Sequence, residues 1–69
     1  MASGSDHAEL STLQAQIEEL TARVVSVAER YAGTTDSAIA ADLFAAERAL
    51  VVARRCLGRA TAVLEDRAR

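Results

Sequence analysis

Apolar side chains recur along the first half of the chain at alternating steps of three and four: Leu10, Leu13, Ile17, Leu20, Val24, Val27 and Tyr31. That spacing lines them up on one stripe of an α-helix, in the a and d positions of successive heptads. Asp6-His7-Ala8-Glu9 has the spacing of a capping box, so the first helix is expected over about residues 6–32, behind a flexible N-terminus at 1–5. Gly33 then ends it, because glycine adopts the left-handed conformation at little cost.

Thr34, Thr35, Asp36 and Ser37 can each cap a following helix, which predicts a turn at 33–36, a second helix over about 37–66 and a C-terminal end at 67–69. Ile39, Leu43, Ala46, Leu50, Ala53, Leu57, Ala60 and Leu64 again recur at steps of four and three. The expected fold is all-α: a single domain, residues 6–66, forming an antiparallel two-helix hairpin of coiled-coil type. One continuous helix is the alternative, for which Gly33 and the capping residues after it are poorly chosen.

A reversal near Thr35 sets residues whose numbers sum to about 70 opposite each other. Val24 then faces Ala46, Ile17 faces Ala53 and Leu10 faces Ala60, a large side chain against a small one each time. Between those layers Leu20 faces Leu50, Leu13 faces Leu57 and Val27 faces Leu43, over roughly 35 Å at ~1.5 Å per residue. The same register brings Arg30 near Asp42, Arg23 near Glu47 and Glu18 near Arg54; such exposed pairs contribute about 0.2–1 kcal/mol each and select orientation more than they stabilise.

The second helix is more apolar than one neighbour can cover. Phe44, Ala45, Ala49, Val51, Val52, Cys56 and Val63 lie outside its main stripe, and Ala45, Ala49, Val52, Cys56 and Val63 follow one another at steps of four, three, four and seven. A contiguous exposed apolar surface on so small a protein marks an interface. The expectation is a homodimeric four-helix bundle with the second helices at its centre, which a charge placed at Val52 would split.

Composition sharpens this picture. The chain has 69 residues, and a core that size contributes about 3–5 kcal/mol unless something staples it. With one cysteine and one histidine there is neither an intrachain disulfide nor a structural zinc ligand set, which leaves oligomerisation. Sixteen alanines, no proline and two aromatic residues, Tyr31 and Phe44, favour helix. A net charge of −2 argues against a generic nucleic-acid binder. The longest apolar run, Ala49–Ala53, is far short of the ~20 residues of a membrane span, so a cytoplasmic protein is expected.

Residues able to carry chemistry are few. His7 has no second histidine or cysteine near it in sequence, and Cys56 sits among apolar neighbours where a thiol behaves as a small hydrophobe. Arg48, Arg55 and Arg59 line one face of the second helix; they are read as a solvated face, as partners for Glu18 and Glu19 or a second protomer, or as a docking site for an acidic partner or RNA. The adjacent carboxylates Glu18/Glu19 and Glu65/Asp66 point to different azimuths and suit solubility better than acid–base catalysis. No nucleophile–base pair, phosphate-cradling loop or metal-ligand spacing appears, so the expected function is non-enzymatic, with no cofactor and no small-molecule substrate. It is an adaptor or regulator that pairs with itself and with another protein; the alternative is a small RNA- or DNA-binding regulator using Arg48, Arg55 and Arg59.

In architecture, without a shared motif, this hairpin resembles the Rop family of plasmid copy-number regulators, which dimerise into a four-helix bundle. That resemblance implies RNA contact by an outer helix face, which here carries Arg23 and Arg30 on an otherwise acidic first helix. Small secreted hairpins of the WXG family share the size, but Tyr31-Ala32-Gly33-Thr34 stands where their tryptophan-glycine turn belongs.

Overall fold

The computed structural model describes the backbone of residues 2–68 and the side chains of residues 5–67. Two helices, α1 (Ala2–Tyr31) and α2 (Ser37–Ala68), pack against each other antiparallel, with no strand among the described residues. The Cα atoms span 53 × 14 × 12 Å, a rod of nearly equal width in both cross directions. Among the described residues, neither helix is long and apolar enough to cross a membrane.

Both helices run past their expected ends. α1 begins at Ala2 rather than Asp6, and α2 continues to Ala68 rather than stopping near Asp66. No proline interrupts either extension, and adding a residue to an existing helix gains a hydrogen bond at small entropic cost, so propagation outruns the capping signals. Met1 and Arg69, at the outer ends of the segments expected at 1–5 and 67–69, lie outside the described residues.

The turn is built where the sequence places it. Gly33 has φ 77°, the left-handed conformation that closes a helix. The Ala32 amide still donates to the Ala28 carbonyl at 3.0 Å, and the Thr34 amide to Tyr31 at 3.2 Å. Of the four candidate caps, Thr34 links the two helices: its hydroxyl donates to the Tyr31 carbonyl at 2.6 Å and accepts from the Asp36 amide at 3.1 Å. The Ile39 amide then donates to the Asp36 carbonyl at 2.9 Å and opens α2.

Each helix turns two columns of seven-residue spacing toward the other. One is the expected column: Leu10, Ile17, Val24 and Tyr31 on α1, and Leu43, Leu50, Leu57 and Leu64 on α2, all half-buried. The other is not. His7, Gln14, Thr21 and Ala28 take the second inward place on α1, and Ala40, Glu47, Arg54 and Thr61 take it on α2. Of the residues expected there, Leu13 and Val27 are half-buried, whereas Leu20, Ile39, Ala46, Ala53 and Ala60 are exposed. The inward column stands four residues on from the leucine column instead of three, so each helix is rotated by about 50° from the expected seam at ~3.6 residues per turn.

Register differs as well. His7 Nε2 meets Glu65 Oε1 at 2.8 Å, Thr61 Oγ1 meets Gln14 Oε1 at 3.1 Å, and Gly58 backs onto the Gln14 amide. These pairs sum to 72, 75 and 72, above the expected 70. His7–Glu65 is the one close pairing of a basic with an acidic side chain among the described residues; Arg30–Asp42, Arg23–Glu47 and Glu18–Arg54 do not form within the chain. Rotation explains this, since Glu47 and Arg54 now point toward the seam while Arg23, Arg30 and Glu18 stay exposed.

Candidate interaction surface

What the two helices bury between them is small. Ala28 and Ala40 are the buried apolar residues, 0% and 4% exposed, and Thr61 is the buried polar one; no large side chain among those described is fully buried. Leucines, isoleucine and valines of the seam are covered on one side and wet on the other. Leu20 and Ile39 are 46% and 44% exposed, Val52 and Val63 56% and 51%.

The total surface, polar and apolar together, is also large for the mass. A compact monomer of this mass, 7.3 kDa, exposes about 4,200 Å², whereas this chain exposes 4982 Å². The excess, about 800 Å², is the area that one partner contributes to an interface of standard size.

The seven residues expected at a subunit interface are spread around α2 rather than gathered on one side. Phe44 and Val51 are half-buried and follow the inward Ala40 and Glu47 columns on the helix surface. Ala45 and Val52, also seven apart, lie on the side of α2 turned away from α1 and are exposed. Ala49, Cys56 and Val63, again seven apart, are exposed on the opposite flank, beside Ala46, Ala53 and Ala60. A rotation of the seam thus divides one expected patch between the back and the two flanks of α2.

Family models, curated proteins and solved structures give no match to this chain.

Polar groups inside the seam are satisfied within it. Thr61 Oγ1 stands 2.8 Å from the Leu57 carbonyl and 3.1 Å from the Gln14 amide oxygen; its single proton serves one acceptor at a time, and both lie within reach. Thr21 donates to the Ile17 carbonyl at 2.7 Å, the same arrangement on the other helix. No buried side-chain oxygen or nitrogen among those described lacks a partner. Glu47 and Arg54 are half-buried on the same column, a degree of cover that long charged side chains accommodate by burying their methylene stems.

The residues with chemical potential sit apart. His7 is engaged with Glu65 at the open end of the hairpin. Cys56 is exposed, and its sulfur accepts from Arg59 Nη2 at 3.1 Å, one helical turn along α2. Arg48 and Arg55 border a shallow depression with Glu47, Val51 and Val52, so the arginine face is interleaved with a carboxylate and two valines. Among the described residues no group of three or more His, Cys, Asp or Glu side chains is placed to share a metal ion.

Sequence reasoning assigned Leu13, Leu20, Val27, Ile39, Ala46, Ala53 and Ala60 to the interior; Leu13 and Val27 are half-buried, and the other five were missed as surface. One signal was present. The columns His7/Gln14/Thr21/Ala28 and Ala40/Glu47/Arg54/Thr61 also keep strict seven-residue spacing, and Gly58 marks a close helix approach against Gln14, where an added Cβ would stand 3.2 Å from the amide nitrogen.

Proposed function

We propose that this protein is a non-enzymatic assembly module: a coiled-coil hairpin that pairs with a second copy to form a four-helix bundle and presents the outer paired-helix surface to another protein in the cytoplasm. The observation that carries the reading is the absence of any fully buried large side chain among the described residues, set beside Leu20, Ile39 and Val63 left about half exposed. Full burial of a leucine or valine side chain contributes about 1.5–3 kcal/mol, and the lone hairpin collects only part of it at each position. A second copy supplies the missing cover. The engaged positions of His7 and Cys56, far from each other and tied to Glu65 and Arg59, support a structural rather than catalytic role.

Association linked to folding has a direct signature. The melting temperature rises with protein concentration, because dilution separates the copies and the released hairpin loses its cover. Sedimentation equilibrium at micromolar concentration should return twice the chain mass. A compact monomer whose melting temperature ignores a hundredfold dilution would overturn the proposal.

A further inference from the structure

We infer that the second copy docks on one particular face, and that it does so about a twofold axis parallel to the helices, laying the large column of each α1 onto the alanine column of the other copy's α2. This rests on the self-association proposed above and adds which surface is used and in what orientation.

The face is identified by a depression that crosses the seam, lined by Leu20, Arg23, Val24 and Val27 of α1 and by Leu43 of α2. Leu13, Leu20 and Val27 therefore flank the seam on the same side as the outer edge of the Leu43 column. Moving around α2 from that column, away from buried Ala40 and Thr61, the next residues are Ile39, Ala46, Ala53 and Ala60, all exposed. One broad side of the rod thus carries a large apolar column on α1 beside a small one on α2. The opposite side is apolar too at Val25, Phe44 and Val51, but Glu18 stands on the Val25 column and Arg48 and Arg55 beside Val51, whereas on the chosen side the charge, Arg23, lies outside the Leu20 and Ala53 columns.

Levels along the rod select the symmetry. The cross-helix pairs sum to 72 and 75, and around the middle of that range Leu13 stands level with Ala60, Leu20 with Ala53 and Val27 with Ala46. A twofold axis parallel to the helices keeps every level unchanged and places α1 of one copy over α2 of the other. Each large side chain then meets an alanine of the second copy without any sliding. A twofold axis across the helices would stack α1 on α1 and α2 on α2, leucine on leucine and alanine on alanine, and would hold the two ends of each layer at unequal distances.

Charge agrees with the parallel axis. Arg30 and Asp42, both exposed and unpaired with each other in one chain, lie at matching levels on the two outer edges of this face. In the proposed dimer Arg30 of one copy borders Asp42 of the other on both edges. The rod as a whole also has area to spare, since its total surface exceeds that of a compact monomer by about what one partner buries in a standard interface.

The test uses the full chain. Leu20→Cys and Ala53→Cys are made separately on a Cys56→Ser background, mixed, refolded together and oxidised, and the disulfide-linked species are identified by mass spectrometry. A dominant 20–53 link formed between the two variants is the expected result; dominant 20–20 and 53–53 links in a protein that is still dimeric would overturn the orientation while leaving self-association intact. Leu20→Glu is expected to weaken the dimer at least about a hundredfold, through burial of an unpaired charge, whereas Val52→Glu, which the sequence alone marked as splitting the bundle, changes the dissociation constant less than about threefold because the rotated seam turns Val52 to the far side of α2. Dissociation by Val52→Glu with Leu20→Glu still dimeric would overturn the face. A monomeric parent chain would instead overturn the self-association on which both rest.

Discussion

The two ends of the hairpin hold together by different means. Next to the turn, buried Ala28 and Ala40 let the helices approach closely, and the Thr34 hydroxyl ties the end of α1 to the start of α2. At the open end the seam is polar: Gln14 meets Thr61, and His7 meets Glu65. Small apolar residues specify distance but tolerate sliding, because one alanine is much like the next; paired polar groups specify register, because each loses its partner if the helices slip. Close packing therefore sets how near the helices lie, and the polar pairs set which residues are level.

That contrast can be broken from either end. Ala28→Leu is expected to have the largest effect, about 1–3 kcal/mol of lost stability by urea denaturation, since the site has no room and the turn prevents the helices from parting. Gly33→Ala should cost about 1–2 kcal/mol although an added Cβ would meet nothing within 4 Å; the loss comes from backbone conformation alone at φ 77°. Thr61→Val removes the hydroxyl shared by Gln14 and Leu57 and should cost about 0.5–1.5 kcal/mol, with increased amide exchange confined to the open half. Gly58→Ala sets two effects against each other: helix propensity gains about 0.5–1 kcal/mol, but the added Cβ would stand 3.2 Å from the Gln14 amide nitrogen and press on the pair with Thr61, so the net change should be less than about 0.5 kcal/mol. His7→Ala, at the open end, should change thermal stability by less than about 1 kcal/mol. A loss at His7 as great as that at Ala28 would show that the open end carries the fold and would reverse the comparison.

Much of the hairpin is legible in the residues themselves. The 3–4 spacing of apolar side chains marks both helices, Gly33 and the capping residues after it mark the reversal, and Leu10, Ile17, Val24, Tyr31, Leu43, Leu50, Leu57 and Leu64 lie on the inward side as their spacing predicts. These features are local. Helical periodicity, left-handed glycine and capping depend on neighbours within a turn or two, so the order of side chains determines them without reference to the rest of the molecule.

Only the packed pair of helices decides which second column turns inward. On each helix the leucine-type column has two neighbours, one three residues on and one four, and hydropathy favours the first: Leu13, Leu20 and Val27 over Gln14, Thr21 and Ala28. Tertiary structure takes the second, because Ala28, Ala40 and Gly58 permit close approach there and Gln14, Thr61, His7 and Glu65 satisfy one another across the seam. Those gains belong to pairs of residues far apart in the chain, and no stretch of one helix contains them. The same choice turns Leu20, Ile39, Ala46, Ala53 and Ala60 outward, so the more apolar column of each helix becomes surface.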